Sequence, residues 1–245
     1  MVPTVDSVIV VQDLHKAFGE RQILRGVSLD VPRARSLAVM GGSGTGKSVL
    51  LKHLVRLMEP DEGVIWVHGR RIDTLSPDEL DALRLRIGYL FQGGALFDSM
   101  TVAENMDFVL RRHTSMAETA RLDRIMEALA WVNLQQAATQ FPAQLSGGQK
   151  KRIALARAII LEPDILLCDE PTTGLDPVSV RTVSELMVRL RAERDMTMVI
   201  ITHDLLCAEI TADTAAFLHN GQVLARGTLA QLRAHEHLEL RRFFG

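Results

Sequence analysis

One glycine-rich segment of eight residues has the composition of a phosphate-binding loop. Gly41–Ser48 reads GGSGTGKS and matches the pattern G-x-x-x-x-G-K-[ST]. The apolar run Leu37–Met40 before it predicts a strand, and Val49–Leu54 after it predicts a helix. Glycines allow backbone N–H groups to approach phosphate oxygens, and the positive end of the helix dipole adds to the attraction. We therefore expect Lys47 to reach the β- and γ-phosphates of a nucleotide and Ser48 to ligate Mg²⁺.

Two acidic residues follow a strongly apolar strand candidate. Ile165–Cys168 is continuously apolar, as in a strand buried on both faces, and Asp169 and Glu170 come next. Because successive side chains of a strand point to opposite faces, the two carboxylates would serve different points. One would hold Mg²⁺ and the other would face the attacking water, which is the division that phosphoryl transfer requires. Alone, the two acids could equally mark a strand that leaves into solvent, but the phosphate loop favours the functional interpretation.

A second pair of glycines precedes a predicted helix. Leu145–Gln149 follows Phe141 and Pro142, and the helix is expected from Lys150 to Leu161. Glycines before a helix expose backbone N–H groups to an anion, although a simple helix-initiating turn is the alternative.

The elements around these segments predict an α/β fold. Further strands are predicted at Val8–Val11, Val64–Val67, Ile87–Phe91, Met198–Thr202, Ala215–Leu218 and Gln222–Ala225. Asn220 and Gly221 predict a hairpin between the last two, because both tolerate positive φ. Capping patterns predict helix starts at Ser76, Thr101, Ser115 and Asp176. Gly93–Leu161 has no strand signal and is expected to form a helical insertion in the core.

Composition narrows the classes of function. The chain has 245 residues, of which 47% are hydrophobic, so a globular core is expected. The formal net charge of -2 provides no basic field for nucleic acid. Cys168 and Cys207 lie in apolar contexts without metal-ligand spacing, which favours a reducing compartment. No apolar run approaches the roughly 18 residues of a membrane span, and the first residues do not look like a signal peptide. We therefore expect a cytosolic protein. If it works at a membrane, a partner would hold it there.

Seven motifs in order resemble those of the nucleotide-binding subunits of ABC transporters, over Val8 to Gly227. They are Phe18 at the A-loop position; Gly41, Gly42, Ser43, Gly44, Thr45, Gly46, Lys47 and Ser48 as Walker A; Gln92 as the Q-loop glutamine; Leu145, Ser146, Gly147, Gly148 and Gln149 as the LSGGQ signature; Asp169 and Glu170 as Walker B with the catalytic glutamate; Gly174, Leu175 and Asp176 as the D-loop; and His203 as the switch histidine.

The resemblance implies a P-loop NTPase of ABC type, with a RecA-like α/β core, antiparallel β elements and a helical signature subdomain. The core lobe would comprise residues 1–92 and 162–227, the helical lobe residues 93–161, and the C-terminal helix and tail residues 228–245. ATP and Mg²⁺ are the implied cofactors.

Individual roles follow from the same resemblance. Glu170 would orient and polarise water, His203 would contact the γ-phosphate, and Gln92 would sense the metal and the water. The metal would be held by Ser48, Gln92 and Asp169. Phe18 would stack on adenine. For Phe18 a place in the core is the alternative, and for His203 a structural role.

The resemblance also implies partners. In this family the signature of one subunit completes the site on the Walker A loop of another, so a homodimer with two composite sites is expected. Ser146–Gln149 and Asp176 would then contact the nucleotide across the dimer. A transmembrane permease subunit would hold the dimer at the cytoplasmic side of the inner membrane, with further transport-complex subunits and without nucleic acid.

A subset of residues is similar to the ATPases of Mla/Mce-type lipid transport systems. Gln92–Val102 contains a GALF stretch, and Arg111–Thr114 and the tail Leu240–Gly245 point the same way. The signature and D-loop sequences are shared with amino-acid and other importers, so these transporters remain alternatives. A soluble iron–sulfur assembly ATPase is another alternative. Chromosome ATPases are excluded, since no sustained heptad repeat separates Walker A from the signature.

The stretch after Gln92 is unusually apolar for a solvated loop. Leu96 and Phe97 could fold back into the core of the helical lobe. Alternatively, Gly93–Phe97 and Met100 could form a groove that receives a short helix of a membrane-embedded partner. The second interpretation predicts that Phe97 is exposed.

Overall fold

A computed structural model describes residues 6–245. Residues 1–5, part of the predicted core lobe and of the segment compared with a signal peptide, lie outside the described residues. The strands are β1 (Ser7–Phe18), β2 (Arg21–Pro32), β3 (Ser36–Met40), β4 (Glu62–Val67), β5 (Arg70–Arg71), β6 (Ile87–Leu90), β7 (Ile165–Asp169), β8 (Thr197–Ile201), β9 (Thr214–His219) and β10 (Gln222–Gly227).

Helices alternate with these strands. They are α1 (Lys47–Leu54), α2 (Pro77–Leu85), α3 (Val102–His113), α4 (Glu118–Trp131), α5 (Gly147–Ile159), α6 (Pro177–Arg194), α7 (Leu205–Thr211), α8 (Leu229–Arg233) and α9 (Leu238–Phe244), with short 3-10 turns at Ile72–Thr74, Gln135–Ala137 and Pro142–Gln144. None of the helices within residues 6–245 has both the length and the apolar character that a membrane crossing requires.

The central sheet positions the functional segments. Its six strands run in the order β10-β9-β3-β8-β7-β6. All neighbours are parallel except β9 and β10, which are joined antiparallel across Asn220 and Gly221 as predicted. The carboxyl ends of β3, β7 and β8 therefore meet at one edge. The glycine-rich loop follows β3, Glu170 follows β7 and His203 lies just beyond β8.

The second sheet is antiparallel, with the order β2-β1-β4-β5. It confirms the expectation of antiparallel elements beside an α/β core. The twelve-residue strand β2 was not predicted, although Val27, Leu29 and Val31 alternate along it and all three are buried. The sequence shows this alternation with a period of two, which is typical of a strand.

The two faces of the six-stranded sheet pack into different cores. Leu166 and Cys168 of β7 pack with α3 to α6, whereas Ile165 and Leu167 pack against the antiparallel sheet, α1 and α2. A third cluster joins β9 to the C-terminal helices, where Leu240 is buried. The tail is thus folded onto the sheet.

The helix starts are partly as predicted. Ser76 and Thr101 each form both bonds of a capping box. The capping box predicted from Ser115 to Glu118 is wrong. Helix α4 begins only at Glu118 after Ala117, which has no side-chain cap, because Met116 is held against the core before the chain turns into the helix.

Two further boundaries differ from the prediction. The signature helix begins at Gly147 rather than at Lys150, since Ser146 is extended and its hydroxyl accepts the N–H of Gln149. The two glycines therefore lie in the first turn and not before it. Strand β6 ends at Leu90, and Phe91 is outside it.

Candidate nucleotide-binding site

A cavity of about 660 Å³ lies at the carboxyl edge of the central sheet. It gathers Lys47, Ser48, Gln92, Glu170 and His203, which are more than 150 positions apart at the extremes of the sequence. Its other lining residues are Arg21, Ile23, Gly41, Gly42, Ser43, Gly44, Gly46, Val49 and Phe243.

The glycine-rich loop has a backbone that few other residues could adopt. Gly41 has φ of 144° and Gly46 has φ of 100°. A Cβ atom at Gly41 would lie 2.2 Å from the carbonyl oxygen of Leu218. The loop can approach β9 this closely because residue 41 has no side chain. The loop leads directly into α1, whose first N–H groups remain available to an anion.

Lys47 is buried beneath this loop. Its Nζ donates to the carbonyl oxygens of Gly41 at 2.9 Å and Gly42 at 2.8 Å. Burial lowers the pKa of Lys47, and the nearby carboxylates of Glu170 and Asp169 oppose that shift. A phosphate in the cavity would meet a cation that is already oriented and largely removed from water.

Ser48, in the first turn of α1, lies next to Asp169, the last residue of β7. The Ser48 hydroxyl donates to Oδ1 of Asp169 at 2.8 Å. Burial raises the pKa of Asp169, the Ser48 bond opposes the rise, and Glu170 adds to it. A hydroxyl and a buried carboxylate side by side are oxygen ligands of the kind that Mg²⁺ prefers, so these residues fit the ion that was expected.

Glu170 leaves the strand in a strained conformation. Its φ is +52°, and its N–H donates to the carbonyl oxygen of Ile201 at 2.9 Å. The carboxylate accepts from Thr173 Oγ1 at 3.0 Å and lies 2.8 Å from Nδ1 of His203. The two acids have different partners, since Asp169 contacts Ser48 and Glu170 contacts His203. Non-glycine residues with positive φ are uncommon and concentrate at functional sites.

Ser146–Gln149 lie elsewhere on the surface, and Leu145 of the signature is buried in the core. None of Leu145–Gln149 is among the described residues that line the cavity. Gly148 instead lies against Ser179 of α6, which bonds Asp176: a Cβ at Gly148 would be 3.4 Å from the Ser179 hydroxyl. The structure thus joins the signature to the D-loop rather than to Lys47.

The comparison with protein families decides the assignment. The family model for the ABC transporter matches residues 24–173. This chain belongs to the ABC transporter family. It is an ABC-type ATP hydrolase, and the family's predicted fold is confirmed.

Known ABC proteins resemble it over most of its length. The probable ribonucleotide transport ATP-binding protein mkl of Mycobacterium leprae is 40% identical over 96% of this chain and 68% of that protein. The intermembrane phospholipid transport system ATP-binding protein MlaF of Escherichia coli is 36% identical over 99% of this chain and 90% of that protein. The ATP-binding cassette MJ0796, solved as a dimer bound to ADP and Pi, superposes with a TM-score of 0.82 at 31% identity, covering 90% of this chain and 98% of that one.

Phe18 of this ABC ATPase lies near the cavity without lining it among the described residues. Its side chain is half exposed at the end of β1, and it is the register partner of Arg21, which does line the cavity. The alternative that Phe18 is a core residue is wrong in this structure.

Sequence reasoning missed Arg21, Ile23, Val49 and Phe243. Arg21 and Ile23 belong to the unpredicted strand β2. Phe243 has no local signal, because it reaches the cavity only when α9 folds back and its ring packs 5.1 Å from that of Phe217.

Proposed function

We propose that this chain is the ATP-hydrolysing motor subunit of a membrane-bound phospholipid transport complex. The cavity that unites Lys47, Ser48, Glu170 and His203 carries the motor part of the proposal. The lipid part is supported by the identity with MlaF across nearly the full length of both proteins. The GALF stretch after Gln92 supports the same class of cargo.

The chain's own residues divide the chemistry in this proposal. Lys47 and the loop N–H groups bind the phosphates, and Glu170 orients and polarises the attacking water. His203, paired with Glu170, contacts the γ-phosphate, while Phe18 stacks on adenine at the rim. Ser48, Gln92 and Asp169 would hold Mg²⁺, which would neutralise charge on the phosphates when bound.

The working unit in this proposal is a homodimer. None of Ser146–Gln149 is among the described residues that line the cavity, so a second copy would supply the signature to each cavity. The similarity to a cassette solved as a dimer supports this arrangement. Asp176, beside the signature, would contact the same nucleotide from the partner side.

A permease is the proposed membrane partner, and it would hold the dimer peripherally at the cytoplasmic side of the inner membrane. Phe97 is 44% exposed and its ring packs 5.2 Å from the ring of Phe108, which is 42% exposed. Leu96 packs partly against the core of the helical segment. This aromatic patch, Phe97 with Phe108, directly follows the Q-loop and would receive a short helix of the permease.

Three other functions compete with phospholipid transport. The name of the mycobacterial relative refers to ribonucleotide transport, and the signature wording is shared with amino-acid importers. The iron–sulfur assembly ATPase differs more, since it would have no membrane partner.

Purification of the tagged chain from native membranes in mild detergent tests the proposal. We expect a polytopic membrane protein and bound phospholipid to co-purify, both identified by mass spectrometry. Phe97→Asp should abolish this association while leaving the fold and ATP binding intact, because a buried unpaired charge costs several kcal/mol.

Leu122→Asp is the matched control, since Leu122 is an exposed apolar residue of α4 at 51% exposure. Normal assembly of Phe97→Asp would place the docking surface elsewhere, and loss of its circular-dichroism spectrum would make Phe97 a core residue. Recovery of the wild-type chain only with soluble iron–sulfur proteins would reject the transport proposal.

A further inference from the structure

A second buried lysine, Lys151, contacts the backbone of Glu170 and lies outside the seven family motifs. Lys151 is only 8% exposed, like Lys47, although it belongs to the signature helix α5 and not to the phosphate loop. A lysine is seldom buried to this extent unless its ammonium group has partners.

The partners of Lys151 are two backbone carbonyls. Its Nζ donates to the carbonyl oxygen of Gln92 in a short hydrogen bond and to that of Glu170 at 3.3 Å. Burial lowers the pKa of Lys151, and Glu170 and Asp169 oppose the shift. One side chain of α5 thus joins the two segments that carry the proposed water-orienting and water-sensing residues.

A second, partly buried cation of α5 contacts the same loop further along the chain. Arg157 donates to the carbonyl oxygen of Gly94 at 2.8 Å and to Oδ1 of Asn105 at 3.3 Å. Asn105 in turn accepts the N–H of Phe97 at 2.7 Å. The segment from Gln92 to Phe97 is therefore attached to α5 at two points, and α5 cannot shift along its axis without changing these bonds or carrying the segment with it.

We propose that Lys151 is a positioning residue that ties Gln92 and Glu170 to the signature helix. Engagement of Ser146–Gln149 at one end of α5 then sets the placement of Glu170 in the same chain, which links the two ATP sites of a dimer. This inference rests on the proposed roles of Glu170 and of the signature.

The test compares Lys151→Met with Lys150→Met. Methionine keeps most of the apolar stem of the lysine and removes the ammonium donor. We expect kcat for ATP hydrolysis to fall roughly tenfold or more, because small displacements of a catalytic group have effects of that size. The dissociation constant for a non-hydrolysable ATP analogue, measured by calorimetry, should change less than about twofold, since Lys47 and the loop remain in place.

Lys150→Met makes the same chemical change one residue earlier. Lys150 is partly exposed, and its side chain donates no hydrogen bond to the described residues, so kcat should stay at the wild-type level. Lys151→Arg, which keeps the charge and the donors, should recover part of kcat.

Three outcomes would overturn the inference. They are wild-type kcat in Lys151→Met, an equal loss of kcat and of analogue affinity, and no recovery by Lys151→Arg. If Lys151→Met fails to fold in a thermal melt, Lys151→Gln replaces it. The same comparison of kcat with analogue affinity applies, and an unchanged kcat would contradict the inference.

Glu170→Gln in the same assay separates the role of Lys151 from the proposed function. Wild-type turnover of Glu170→Gln would remove the proposed function itself, whereas an inactive Glu170→Gln beside a fully active Lys151→Met would remove only the role of Lys151.

Discussion

The phosphate-loop end and the signature end of this chain satisfy their polar groups in different ways. In the cavity, bonds between distant segments add to the local ones, as Ser48 donates to Asp169 and His203 contacts Glu170. At the signature the bonds are local, as Ser146 accepts from the N–H of Gln149 three residues away.

This difference indicates which half of the chemistry one chain can assemble. The cavity has oriented side chains that converge from the ends of several strands. The signature offers a capped helix start with an exposed serine and glycine, and none of the described residues of the cavity lies opposite it. The first region is preorganised by the fold, whereas the second depends on a surface that this chain does not supply to itself.

The largest effect is expected at Glu170. Glu170→Gln removes the carboxylate and keeps its shape, so ATP should still bind while kcat falls roughly a hundredfold or more. The variant should also accumulate as an ATP-held dimer in size-exclusion chromatography. Glu185→Gln is the control, because its pairing with Arg181 at 3.7 Å on α6 is solvent-exposed. Steady-state turnover equal to that of the wild type would remove Glu170 from the catalytic role.

The signature end can be broken without unfolding its helix. Aspartate and asparagine both cap helices as well as serine does, but only aspartate places a negative charge where a phosphate would dock. In the Glu170→Gln background we expect Ser146→Asp to weaken the ATP-held dimer by roughly tenfold or more, and Ser146→Asn to weaken it much less.

Analytical ultracentrifugation with ATP measures this dimer, and calorimetry on the same variants checks that nucleotide binding is retained. If the dimer of the Ser146→Asp variant is as tight as that of its parent, the signature does not face a nucleotide. That result would also remove the contrast between the two ends.

Lys47 tests the preorganised end. Lys47→Ala should weaken ATP binding by roughly tenfold to a hundredfold, as expected when a charge-assisted bond to a phosphate is lost. Calorimetry with Mg²⁺ present is the measurement. Lys150→Ala, at the signature end, should leave the affinity of the isolated chain unchanged. Equal affinities for the two variants would place the nucleotide outside the cavity.

The sequence predicted the cavity better than it predicted the surfaces around it. Gly41–Ser48 is one continuous segment, and so is Asp169–Glu170. Each follows a continuously apolar strand, so the local pattern and the parallel topology were sufficient to predict the cavity. The positive φ of Glu170 was not foreseeable, because the strand alternation that was assumed ends at Asp169.

Contacts between distant segments account for what was missed. Phe243 lines the cavity and Lys151 bonds the backbone of Gln92 and Glu170 only because the fold brings these distant segments together. Neither residue has a local sequence pattern that marks it. The helix start expected at Ser115 failed for a related reason, since packing of Met116 delayed the turn until Glu118. Capping residues report where a helix can start, and tertiary packing decides which of them is used.

The smallest effect is expected at a polar cluster that supports the cavity without entering it. Asp213 accepts from the Ser36 N–H at 2.8 Å and from Arg191 in a short hydrogen bond, which joins the start of β3 to the end of α6. Burial alone would raise the pKa of Asp213, but the bonds from Ser36 and Arg191 outweigh it and hold the pKa below its usual value.

Asp213→Asn should therefore lower the free energy of unfolding by about 1–3 kcal/mol at pH 7, with ATP affinity unchanged. Because the folded-state pKa is depressed, the stabilisation by the carboxylate is fully present above the unfolded-state pKa of about 3.9 and is lost as the pH falls through the folded-state value. Urea unfolding of both proteins should give a constant difference between pH 7 and 5 that shrinks below about pH 4. A difference that persists undiminished in acid would mean that the amide disturbs packing instead of removing a charge. A loss of ATP affinity in Asp213→Asn would show that the cavity depends on this distant cluster, and the preorganisation of the phosphate-loop end would then extend through the whole length of β3 rather than being confined to its carboxyl end.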